Sequence, residues 1–193
     1  MHIEKLVLAT HNAGKVAEMS DLLAPYGIEV LSAKDFGLES PDETEGTFQG
    51  NAFIKARYVA DKTGLPALAD DSGLCVAALG GEPGVYSADW AGPEKDFGKA
   101  MVLVNDKIAQ SPDRSAYFVS VFAFVTPGGQ EMVFEGRCNG SLIWPPRGSG
   151  GFGYDPMFVP NGEGRSFGEM DISEKKKFSH RAKAFAEFRK IFE

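Results

Sequence analysis

Leu68-Ala69-Asp70-Asp71-Ser72-Gly73 ends an apolar run on two adjacent carboxylates, with a hydroxyl and a glycine directly behind them. Two acids at the end of a strand are one way to begin a site for a hard divalent cation such as magnesium. Successive strand side chains point to opposite faces, but at a strand end the twist relaxes and both acids can serve one pocket. Asp-Ser-Gly after a strand is also ordinary turn chemistry, and the segment alone does not choose between the two. Three other segments bear on the choice: Thr10-His11-Asn12-Ala13-Gly14-Lys15, Gly151-Phe152-Gly153-Tyr154-Asp155-Pro156 and Ser179-His180-Arg181.

Around the acidic pair the pattern alternates between strand and helix. Lys5 to Thr10 is a short apolar run. Val16, Met19, Leu22, Leu23 and Tyr26 then follow at helical spacing until Gly27. Ile28 to Leu31 reads as a second strand, and the acidic loop from Pro41 to Gly46 leads into a helix from Thr47 to about Lys62. A strand over Pro66 to Ala69 carries the acids. Helix is expected from Lys95 to Gln110, and a long hairpin from Tyr117–Val125 and Glu131–Arg137 about Pro127-Gly128-Gly129. Val121, Phe122 and Phe124 of that hairpin are expected in the core. Arg147 to Gly153 reads as a loop, and the closing helix, roughly Ser179 to Phe192, puts Ala182, Phe185, Phe188 and Phe192 on one face. This order predicts an α/β fold, a β-sheet of mixed direction flanked by helices, with its active crevice at strand ends.

With 193 residues and 43% hydrophobic content the chain can bury one large core or two intimately packed lobes. A single two-lobed domain over residues 1–193 is the simplest reading. No apolar run spans a bilayer, and Met1-His2-Ile3-Glu4-Lys5 leads straight into a strand, so a soluble cytoplasmic protein without membrane attachment is expected. Cys75 and Cys138 lack metal-ligand spacing and read as small buried hydrophobes. A net charge of −7 argues against nucleic-acid binding, which calls for a basic face. An anionic ligand would need a metal and a few local cations.

Those cations stand beside the motifs. In Thr10 to Lys15 a strand ends and a helix begins, so backbone N–H groups and the helix dipole favour phosphate. The plain alternative is an N-cap followed by a solvated lysine. It is not a Walker loop, because Val16 follows Gly14-Lys15 and no glycine lies five residues before Gly14. On the second helix Phe48, Asn51, Ala52, Lys55, Ala56 and Val59 share a face. A lysine there either snorkels outward or meets an internal anion, and Asn51 lies one turn away from the same target. Phe152 to Asp155 offers an aromatic surface beside a carboxylate, suited to stacking a base or to making a tight corner. His180 and Arg181 open a helix that Ser179 can cap, and that helix start presents N–H donors. Lys175, Lys176 and Lys177 read as a solvated run from which one lysine could reach phosphate.

Taken together these segments resemble the inosine triphosphate pyrophosphatase family along nearly the whole chain. The resemblance runs through Thr10, Asn12 and Lys15; Phe48-x-Gly-Asn-Ala-x-x-Lys-Ala to Ala56; Ala69 to Leu74; Ala78 to Ala88; Gly150 to Pro156; and Ser179-His180-Arg181. It departs at Asp89, where relatives commonly carry arginine. That departure puts in question any cationic contact from this position, a dimer contact included. The resemblance implies an elongated α/β fold with two lobes about a central cleft, usually a homodimer. It implies cleavage of inosine and xanthosine triphosphates, ribo or deoxy, to monophosphate and pyrophosphate with magnesium. By the same carry-over Asp71 is proton acceptor and metal ligand, with Asp42 or Glu43 as a second ligand. Thr10, His11, Asn12, Ala13, Gly14, Lys15, Ser72 and Lys175 hold the triphosphate, and Phe152, Gly153, Tyr154 and Asp155 with His180 and Arg181 hold the base. Lys55 joins Asp71 as a catalytic group, neutralising developing charge together with Lys15. The rivals are a Maf-like pyrophosphatase acting on other nucleotides and a sensor that binds a triphosphate without cutting it.

Overall fold

A computed structural model describes residues 1–109 and 111–193, with Gly14 and Glu18 given as helix positions only. The first strand, β1 (Lys5–Leu8), is buried at Leu6, Val7 and Leu8 and pairs in parallel with β2 (Glu29–Ser32) and with β3 (Ala67–Val76). The crossover from β1 to β2 is made by α1 (Ala13–Leu23) and a 3₁₀ turn at Ala24–Tyr26, and α2 (Phe48–Thr63) leads on to β3. Next come α3 (Phe97–Ile108), β4 (Ser115–Val125) and β5 (Glu131–Leu142). The chain closes with β6 (Phe158–Pro160), the short α4 (Ile172–Lys175) and α5 (His180–Phe188). The sheet has six strands among the described residues, in the order β2-β1-β3-β4-β5-β6. It is parallel at β2-β1-β3 and antiparallel where Gly140–Leu142 meets Phe158–Pro160, which is the mixed α/β sheet expected.

The chain divides into two compact units. The first comprises Met1–Asp71, Val121–Glu135 and Phe185–Glu193, and the second Ser72–Ser120 and Gly136–Ala184. In the first, α2 lays a face of Ala52, Ala56, Val59 and Ala60 against Val7, Ala67, Ala69, Ala123 and Val125. Small residues there let the helix come close to the strands. Phe122, Phe124 and Phe188 pack ring against ring in the same unit and are completely buried, as the hairpin pattern predicts. The second unit centres on Leu74, Val104, Phe118, Met157, Phe158 and Phe167.

Several boundaries differ from the expectation, three of them with a bearing on the site or the helices. β3 does not end at Ala69 but continues through Asp70-Asp71-Ser72-Gly73 to Val76, so the turn reading of that segment is wrong. Leu74, Cys75 and Val76 are buried, and β3 is an interior strand between β1 and β4. Burial and pairing on both edges therefore override the local turn preference of Ser-Gly. The closing helix is regular only to Phe188 and finishes as a 3₁₀ turn. The α3 helix is shorter than expected, and Gln110 lies outside the described residues. Both cysteines are free and buried.

Gly136, on β5, lies directly beneath the start of α5. A Cβ at this position would overlap the carbonyl oxygen of His180 and the amide nitrogen of Ala184. Strand and helix backbones meet there with no side chain between them.

Candidate active site

In the first unit the site is built around Lys55. Thr47 caps α2 by accepting from the amide of Gly50 (3.0 Å), which fixes the helix start and its buried face of Asn51, Ala52, Lys55, Ala56 and Val59. Lys55 is only 9% exposed, and its ammonium donates to Glu43 Oε1 (2.9 Å), the backbone carbonyl of Asp70 (3.0 Å) and Asp71 Oδ1 (3.3 Å). Its three protons thus have three acceptors. Burial, the largest single influence, pulls its pKa down, but Asp71, Glu43 and Asp70 together override it and hold Lys55 above the ordinary lysine value, fully charged.

Asp71 is the counterpart. It is 8% exposed, and burial pushes its carboxyl up to about 6 against the opposing pull of Lys55. Its Oδ1 faces the ammonium, while its Oδ2 is buried with no hydrogen-bond partner. The neighbouring Asp70 instead accepts from Lys15 Nζ (2.8 Å). Adjacent strand side chains alternate in direction, and the two acids pair with two different lysines.

The Thr10–Lys15 segment takes the form of a capped helix start. Thr10 Oγ1 accepts from the Asn12 amide (3.2 Å), Asn12 Oδ1 accepts from the Lys15 amide (3.2 Å), and Ala13 opens α1. His11 turns to the loop before α2, with Nε2 at 2.6 Å from the Leu38 carbonyl and Nδ1 at 3.0 Å from the Ser40 hydroxyl. Gly14 lies outside the residues described in that detail. Asn51 does not aim at a carboxylate: its Oδ1 accepts from the Glu45 amide (2.9 Å) and ties down the end of the same loop. With that loop anchored at both ends, Glu43 reaches Lys55 while Asp42 is exposed, so the acid beside Asp71 is Glu43 and not Asp42. Ser72 follows Asp71 in β3, half-buried.

Among the described residues no group of three or more His, Cys, Asp or Glu is gathered for a metal. Magnesium, however, is commonly held by one or two carboxylates with water and substrate phosphate completing the shell. The unpartnered Asp71 Oδ2, with Glu43 on the same lysine, fits that sparse donor set.

The second unit carries the other set. Phe152 is 73% exposed, whereas Tyr154 is 2% exposed and donates its hydroxyl to the Ser87 carbonyl (2.8 Å), so of the two rings only Phe152 offers a surface. Burial pushes the Tyr154 phenol pKa upward. Asp155, also buried, accepts from the Phe152 amide (2.6 Å) and from Lys175 Nζ (2.5 Å). That places Lys175 beside the Phe152–Asp155 turn. Gly153 has φ of 66°, the left-handed conformation that glycine adopts most readily, between the two rings. Ser179 caps α5 by accepting from the Ala182 amide (3.2 Å). His180 is buried and stacks on Phe118 at 5.0 Å, while Arg181 is half-buried beside it.

Sequence reasoning left Asp42 and Glu43 open as alternatives and missed the loop-anchoring roles of His11 and Asn51. A lysine on an otherwise apolar helix face was the one signal that pointed into the cluster.

Comparison with known proteins places the chain in a family. A sequence model of the Ham1 family matches residues 6–191. The dITP/XTP pyrophosphatase of Caulobacter vibrioides is 54% identical, covering 96% of each chain. That of Gluconobacter oxydans is 53% identical, covering 95% of this chain and 88% of its own. A HAM1 protein from Coxiella burnetii superposes with a TM-score of 0.93 at 38% identity over 98% of both chains. The Ham1 protein of Staphylococcus aureus gives 0.91 at 31% identity over 97% of both. The sheet agrees with the fold of these solved structures, and the chain belongs to the Ham1 family.

Proposed function

We propose that this protein hydrolyses non-standard purine nucleoside triphosphates (dITP, ITP and XTP) to the monophosphate and pyrophosphate, in a magnesium-dependent reaction carried out by a cytoplasmic homodimer. The observation that carries the reading is Asp71: a buried carboxylate with one oxygen clamped by Lys55, the other unpartnered, and a pKa raised to about 6. A base of that pKa is matched to proton transfer near neutral pH, whereas an ordinary aspartate is too weak. Among the described residues no helix is long and apolar enough to cross a membrane.

The Asp71 carboxylate accepts the proton of a water whose oxygen attacks the α phosphorus. The bond to the bridging oxygen breaks, and pyrophosphate leaves with that electron pair. Lys55 keeps Asp71 oriented and, with Lys15, offsets charge that develops on the phosphate. When bound, magnesium supplies positive charge to the triphosphate oxygens. The Thr10–Lys15 helix start takes phosphate. The face of Phe152 takes the base, and N–H donors at the start of α5 read the 6-oxo group that hypoxanthine and xanthine carry and adenine lacks. Leaving such a donor unpaired against adenine costs about 1–3 kcal/mol.

The test is to incubate the protein with ITP, dITP, XTP, GTP, ATP and modified pyrimidine triphosphates, with magnesium or with chelator, and to identify products by chromatography. IMP and pyrophosphate from ITP, magnesium-dependent and much faster than from ATP, is the expected result. IDP and phosphate would overturn the cleavage position. Turnover of the pyrimidines would favour a Maf-like enzyme, and tight binding without turnover a sensor.

A further inference from the structure

Phe152 is 73% exposed, so little packing holds its ring in one rotamer. What it does have is Phe97. The two rings lie edge to face, with centroids 4.9 Å apart and planes at 65°. Phe97 also meets Tyr154 edge to face at 5.4 Å and 80°. A Cβ on the intervening Gly153 would touch the Phe97 ring at 3.6 Å. Three consecutive positions of the turn therefore rest on a single side chain.

That side chain is itself fixed. Phe97 is the first residue of α3, behind Asp96. The Asp96 carboxylate accepts from the Lys99 amide (3.1 Å) and its own amide donates to the Ala91 carbonyl (2.8 Å). Its ring packs on the core of the second unit, and Tyr154 beneath it is anchored on Ser87. Rigidity therefore passes from a capped helix start and a buried tyrosine, through Phe97, to a ring that is otherwise free to swing.

We propose that Phe97 is a positioning residue for the nucleobase: it holds Phe152 in the orientation in which one face of that ring stays open to stack on a purine. The inference rests on the reading of Phe152 as the stacking ring, and it adds a residue that does not itself touch the base. Ordering Phe152 before the ligand arrives removes a rotamer cost from binding, so Phe97 acts on KM and leaves the chemical step alone.

The experiment is a double-substitution cycle on ITP hydrolysis. Phe97→Leu keeps apolar bulk against the core but removes the ring pair, and Phe97→Tyr keeps the ring. The expected result is that Phe97→Leu raises KM for ITP by about threefold to tenfold, the worth of an aromatic pair. The kcat and the inhibition constant of tripolyphosphate, which has no base, stay within about twofold, and Phe97→Tyr restores KM. In a Phe152→Ala background Phe97→Leu adds nothing further. An unchanged KM in Phe97→Leu beside a raised KM in Phe152→Ala would overturn the positioning role and leave the stacking reading standing. An equal rise in KM with and without Phe152 would overturn it as well. An unchanged KM in Phe152→Ala would overturn the stacking reading, and the inference with it.

Discussion

Replacing Asp71 by asparagine is expected to abolish turnover and to remove a pH-dependent stability penalty that the wild-type chain carries at neutral pH. The carboxyl has its pKa raised from 3.8 to about 6, with burial as the main cause. At about 1.4 kcal/mol per unit, that rise amounts to about 3 kcal/mol. The sign follows from linkage: a group whose folded pKa lies above its unfolded value stabilises the fold below the unfolded value and loses that contribution as pH rises through the folded one. Wild type should therefore lose about 3 kcal/mol from this residue between about pH 4 and pH 7, and Asp71→Asn should not. Asparagine also places an amide nitrogen where Oδ2 has no partner, and an unpaired buried donor costs about 1–3 kcal/mol. That cost is the same at every pH and cancels in the pH dependence. The assay is urea unfolding of both proteins with chelator present, from pH 4 to pH 8, plotted as the difference in unfolding free energy. The difference should rise in favour of asparagine by about 3 kcal/mol and flatten above pH 7, while kcat falls by about 10² or more. A flat difference across that range would refute the assigned environment of Asp71, and undiminished turnover would refute its role.

Three further outcomes follow. The kcat/KM for ITP should fall on the acid side of neutral pH, one proton per active site, because protonated Asp71 can neither accept a proton nor hold a metal; a pH–rate profile flat from about pH 8 down to about pH 4 would contradict this. Lys55→Gln should move that acid limb to higher pH by removing the cation that opposes burial, and should destabilise the fold by about 3–5 kcal/mol in chemical denaturation, since it breaks a buried ion pair. Arg57→Gln, by contrast, removes an exposed pair with Glu131 and should change unfolding free energy by less than about 1 kcal/mol with activity intact.

How much of this was legible in the sequence depends on whether a residue's meaning is local. Lys55 announced itself, because a lysine on a largely apolar face must either snorkel outward or end on an anion. The Ser179 cap and the aromatic turn at Phe152 could be read the same way, from a few neighbouring residues. Asp70-Asp71-Ser72-Gly73 could not. Its turn chemistry is real, but it is overruled by strands that flank it in space and lie far away in sequence. The choice of Glu43 over Asp42 was equally hidden. It depends on how the loop is drawn in by His11 at Leu38 and Ser40 and by Asn51 at Glu45, side-chain-to-backbone contacts with no periodic signature.

Gly136 sets a limit on how this chain can vary. A single carbon added here has nowhere to go except into the backbone that begins α5. The helix would have to lift, carrying His180 and the N–H donors beside it. Under the proposed function, a methyl group buried in the sheet would then be felt as a loosened choice of base.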